Sequence, residues 1–168
     1  MINPIPISTV LIGIHGLIAF GLTYLVVMER TSTKVWHGES RTDIASQPDY
    51  LKNPNKWAAL VDQISQKTVV TKAIEDGVLQ RTVRAHANFT EHVPLALLFI
   101  IALELAPSPD GLVWLLGGML AIARIFHAWG LIQTYGPSPA RAIGFFGTWF
   151  VYIVGSLACL YYGITGLA

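Results

Sequence analysis

The chain has 168 residues, 53% of them hydrophobic and only 12% charged, with a mean hydropathy of +0.53. Soluble domains carry about 25% charged residues, so this composition excludes an ordinary soluble protein and points to a membrane. A net charge of +1 gives no basis for nucleic-acid binding, and a lone cysteine, Cys159, leaves no disulfide framework and no cysteine metal site.

Four segments are long and apolar enough to span a bilayer, which takes about 20 residues. The first runs over 7–28, with His15 as its only strongly polar side chain. A neutral histidine bonded to a neighbouring helix is the plain expectation for His15. No Lys or Arg precedes this run and no small-residue cleavage site follows it, so it reads as a spanning helix rather than a signal peptide. A polar connection over 29–80 comes next. Nine of the eleven Lys and Arg residues lie between Arg30 and Arg84. Within it, 31–53 is turn-rich and is expected to be mobile. Asn53-Pro54 reads as a helix start. Trp57, Leu60, Val61 and Ile64 then keep helical spacing up to Ser65, where the pattern falters. That short helix fits either a protein-packed loop or the membrane surface. Asp76-Gly77 reads as a break.

The second span covers 83–105, the third 112–134 with Arg124 and His127, and the fourth 140–164, apolar after Arg141. Ala106 to Gly111 and Tyr135 to Pro139 form tight connections. Ser138 is placed to cap the last helix, with Pro139 at its first position. By the positive-inside rule the connection 29–80 is cytoplasmic, and Arg84 and Arg141 then share the cytoplasmic membrane face. One all-α membrane domain over 1–168, a four-helix bundle, is the expected architecture.

The second span carries the chemistry-bearing pattern. Arg81, Arg84, Asn88 and Glu91 are separated by three, four and three residues, and so form one stripe on a helix. Charge exposed to lipid is costly, so such a stripe needs a partner or a water-filled cavity. Guanidinium groups donate paired hydrogen bonds to carboxylates, so the stripe reads as an anion site. It reads equally as a structural network fixing the bundle. Arg124 must meet Glu91, another buried acceptor, or water, and His127 lies one turn beyond it. Arg141, beside the free N–H groups of a helix start, favours an anion or a thiolate; an interfacial arginine meeting lipid headgroups is the alternative. His86 and Glu104 return to one helix face, as a second contact line or as two interfacial ends. No metal-binding, P-loop, dinucleotide or nucleophile-elbow pattern is present.

The run Arg84-Ala-His-Ala-Asn-Phe-Thr-Glu91 resembles the signature of the MAPEG superfamily, the membrane-associated proteins in eicosanoid and glutathione metabolism. The stretch Arg124-Ile-Phe-His127-Ala-Trp-Gly130 resembles the matching part of the third helix, and Arg141 the arginine opening the fourth. The resemblance covers the four helices and is nearest to the bacterial branch. It implies a homotrimer in a bacterial inner membrane, with glutathione held between subunits near the cytoplasmic face and surrounding membrane lipids as partners. It also implies Arg84, Asn88, Glu91 and His127 as glutathione contacts, and Arg141 as the catalytic residue that stabilises the thiolate. The activity implied is a glutathione-dependent transferase or peroxidase acting on lipophilic small molecules. Ala87, Leu131 and Ala142 stand where the glutathione-using prostaglandin synthase has arginine, tyrosine and serine. Those departures motivate an alternative, a non-catalytic scaffold or lipid-binding protein of the same fold. A small transporter using Glu91, Arg124 and His127 is a third reading, disfavoured because no half-helix break or inverted repeat is seen.

Overall fold

The computed structural model describes residues 3–42, 56–70, 76–134 and 136–167. Its elements are α1 (Pro6–Thr33), α2 (Lys56–Thr68), α3 (Val78–Leu105), α4 (Asp110–Gln133) and α5 (Pro139–Thr165). The four long helices are each long and apolar enough to cross a membrane. They run alternately up and down. The start of α1, the α3–α4 turn and the end of α5 lie at one end of the bundle. The end of α1, the start of α3 and the α4–α5 turn lie at the other, here called the connection end. Both α3 and α4 pack against all the other long helices.

Local chemistry sets the helix ends. Pro6 opens α1, where its missing N–H costs nothing. The free N–H groups of Ile7 and Ser8 are taken by the Glu104 carboxylate from the far end of α3, at 2.7 and 2.6 Å. α1 continues past residue 28 to Thr33. In this polar extension the Thr31 and Thr33 hydroxyls donate back to the Val27 and Glu29 carbonyls. Lys34 ends the helix in a left-handed conformation (φ 58°). α3 begins at Val78, five residues before hydropathy alone would start it. Gly77 (φ 69°) supplies the break, and Asp76 accepts the Val78 N–H at 3.0 Å. α2 runs through the faltering Ser65–Thr68 stretch, closed by a Thr68 hydroxyl bond to the Ile64 carbonyl at 3.0 Å. Asn53-Pro54 lies outside the described residues. Ser138 caps α5 by accepting the Arg141 N–H at 3.3 Å, with Pro139 following as expected.

Two apolar clusters fill the bundle. One, toward the α3–α4 turn, holds Leu11, Ile100, Leu103, Leu116, Leu120 and Val151. The other, toward the connection end, holds Leu22, Ala85, Phe89, Val93 and Ala128. Between them lies a buried polar layer of His15, Arg124 and Thr148. Bare glycine surfaces let α4 and α5 close on each other there. A Cβ at Gly144 would sit 2.3 Å from the His127 Cβ, and one at Gly130 would sit 2.7 Å from the Arg141 backbone nitrogen. Small residues at helix crossings allow this close approach in membranes, where apolar burial drives little association.

Candidate functional site

The stripe of α3 divides once it is folded. Arg81 turns to the neighbouring helix, where its Nε donates to the Ile132 carbonyl at the end of α4, 2.8 Å away. It therefore covers one of the free carbonyls of a helix C-terminus. Arg84 and Glu91 instead lie on the outer surface of the chain, with Asn88 half-buried between them. The Asn88 side chain donates to the Arg84 carbonyl of its own helix at 3.0 Å. Pro94 follows on the same helix and leaves the Thr90 carbonyl, next to Glu91, without its usual i+4 donor.

Arg124 has a different fate. It is 3% exposed. Its guanidinium donates to the Asn88 carbonyl at 3.4 Å, to the Gly144 carbonyl at 3.1 Å and to the Thr148 hydroxyl. Thr148 passes its own hydroxyl proton to the Gly144 carbonyl at 2.8 Å. Of the three acceptors the sequence offered, the buried one is taken, and Glu91 stands on the outside, unpaired with Arg124 in its own chain. The Asn88 backbone meets α4, while Glu91, three residues on, is exposed. α5 is thus less apolar than its sequence suggested. Thr148 serves Arg124, and the Tyr152 hydroxyl donates to the His92 carbonyl at 2.9 Å.

His15 is buried, and its Nδ1 lies 2.7 Å from the Leu11 carbonyl. Its bond is to its own helix rather than to a neighbour, and its ring lies 6.2 Å from that of Phe89. His86 and Glu104 form a contact line to α1. His86 Nε2 lies 3.1 Å from the Thr23 hydroxyl, and Glu104 holds the start of α1.

Arg141 and His127 do come together. Both line a pocket of about 500 Å³ at the connection end, with Ser138, Ala142, Phe145 and Phe146 among its walls. The Arg141 Nη1 donates to the Gly136 carbonyl at 2.8 Å, which fixes the head of the side chain at the mouth of α5. The backbone and a guanidinium thus converge where a helix begins, an arrangement suited to an anion. No residue of α3 lines this pocket. Within one chain, the five candidate residues therefore form two separate groups: Arg84, Asn88 and Glu91 on the outer face of α3, and His127 with Arg141 between α4 and α5.

Sequence reasoning missed Thr148 and Tyr152 because a single hydroxyl in an apolar helix leaves no pattern. Gly144 and Gly130 admit His127 and Arg141 of the facing helix, a pairing that spacing along one helix does not reveal.

Four helices long and apolar enough to span a membrane define a multi-pass integral membrane protein whose outer surface meets lipid. The model of the MAPEG family matches residues 8–161, and the chain belongs to that family, within the superfamily of glutathione and eicosanoid metabolism. Neither the curated proteins nor the solved structures give a match.

Proposed function

We propose that this protein is a glutathione-dependent transferase or peroxidase that acts on lipophilic electrophiles or lipid peroxides as a homotrimer in a bacterial inner membrane, with the connection 29–80 in the cytoplasm. One observation carries this reading. Arg84 and Glu91 stand on the outer surface of a spanning helix, where contact with lipid would be costly. A second copy covering that face removes the cost. It also supplies the missing wall of a site whose other half, Arg141 and His127, lies at the same end of the bundle.

In that assembly Arg84 and Asn88 would bind a carboxylate and an amide of glutathione, and Glu91 its ammonium group. Arg141 would hold the sulfur as a thiolate, the nucleophilic form. The sulfur then bonds to the electrophilic carbon as the leaving group departs with its electron pair, and the thiol proton goes to solvent. Phe145 and Phe146 give the pocket an apolar wall for a lipophilic partner. Subunit complementation tests the reading. Glu91→Ala and Arg141→Ala subunits should each be inactive alone and partly active when mixed in one oligomer. Full activity of Arg141→Ala would remove it from the catalytic role.

A second reading, a non-catalytic scaffold or lipid-binding protein, draws on the same apolar pocket wall together with Ala87, Leu131 and Ala142. It predicts a lipid retained on purification and no dependence on thiols.

A further inference from the structure

Residues 34–42 form a strap folded back across the connection end. A single nitrogen of Arg30, Nη1, donates to three strap carbonyls, those of Val35, Trp36 and Gly38, each at 3.1 Å. Val35 is 1% exposed, and the Arg41 Nη2 reaches back to the Thr33 carbonyl at 3.4 Å. The strap is therefore anchored at its root, in its middle and near its end. Its acidic residue is delivered to α3: the Glu39 Oε1 lies 3.5 Å from the Arg84 Nε. Glu39 is 27% exposed and Arg84 63%. The carboxylate is partly buried while most of the guanidinium stays open.

We propose that Glu39 is the resident carboxylate of Arg84, which a carboxylate-bearing ligand must displace, so that the strap sets the affinity of the α3 half-site. This rests on the reading above, that Arg84 receives a carboxylate of glutathione. Chemically, Glu39 presents to the guanidinium the same group that the ligand would present. Two carboxylates brought to one arginine repel each other, so occupation by one opposes occupation by the other. An exposed single-contact ion pair is weak, so the strap tunes affinity and does not block the site.

The test is calorimetric titration of the full-length, detergent-purified protein with reduced glutathione. Four forms are compared: wild type, Glu39→Gln, Arg84→Ala and the double variant, each checked for an intact oligomer by gel filtration. Glu39→Gln is expected to bind about two- to fivefold more tightly than wild type. The same substitution is expected to change nothing in the Arg84→Ala background. Equal affinity of Glu39→Gln and wild type would overturn the proposal. Weaker binding would overturn it too, and would make Glu39 a residue that aims Arg84. If wild type binds no glutathione, the functional reading itself fails and this inference falls with it, an outcome distinct from binding that ignores Glu39.

Discussion

Two of the arginines in the spanning helices, Arg124 and Arg84, meet opposite fates. Arg124 is enclosed by its own subunit. Two backbone carbonyls and the Thr148 hydroxyl take donors from its two Nη atoms, its Nε stays buried without a partner, and a polar layer separates two apolar clusters around it. Arg84 lies at the surface of the same fold, where it meets the strap carboxylate of Glu39. The difference separates structure from function. A charge enclosed by its own chain holds the helices together, whereas on the proposed reading the exposed charge receives a ligand.

Five substitutions would break or sharpen that contrast. The largest effect is expected at the pocket. Arg141→Ala should lower turnover with an electrophile by about 100-fold or more, the usual consequence of removing a group that stabilises developing or resident negative charge. Its oligomer, followed by gel filtration, should be unchanged. Next comes the helix crossing. Gly144→Val should lower stability by at least about 1–3 kcal/mol, because its side chain would overlap His127. Thermal unfolding in detergent would read this directly.

The buried layer gives a sharper test. Thr148→Val leaves an Arg124 donor without its hydroxyl partner and should cost about 1–3 kcal/mol. Arg124→Met removes the charge together with its demand for partners, and should cost less than Thr148→Val or even stabilise. If Arg124→Met proves the worse of the two in the same unfolding assay, Arg124 does more than hold the layer together. The smallest effect is expected at the lid of α1. Glu104→Gln should lower stability by about 0.5–1 kcal/mol, because it weakens a charged acceptor at a helix N-terminus.

Much of the fold could be read from residue order. Hydropathy located all four spanning helices, and Ser138-Pro139 marked the start of the last one correctly. The ends of α1 and α3 were set too short, because Glu29–Thr33 and Val78–Thr82 are too polar for a hydropathy window. They stay helical through side-chain bonds to nearby carbonyls and through packing: Leu79 and Thr82 are buried. The strap was expected to be mobile, since nothing in its composition shows that Arg30 gathers three of its carbonyls. The stripe was legible as a periodicity, but its division was not. Whether Arg81, Arg84 or Glu91 faces inward depends on how α3 is rotated against α4, and spacing along one helix cannot reveal that. For Arg124, residue types suggested a carboxylate partner. The acceptors are instead mostly backbone carbonyls, which every residue carries and which no sequence pattern marks.

On the proposed reading the exposed α3 face and the Arg141 pocket together hold glutathione as a thiolate. The most direct measurement is glutathione binding to the purified oligomer at neutral pH, by calorimetry with ultraviolet thiolate absorbance recorded in parallel. Saturable binding is expected, with a thiolate signal that disappears in Arg141→Ala. An intact oligomer that binds no glutathione would contradict it and leave the stripe as structure.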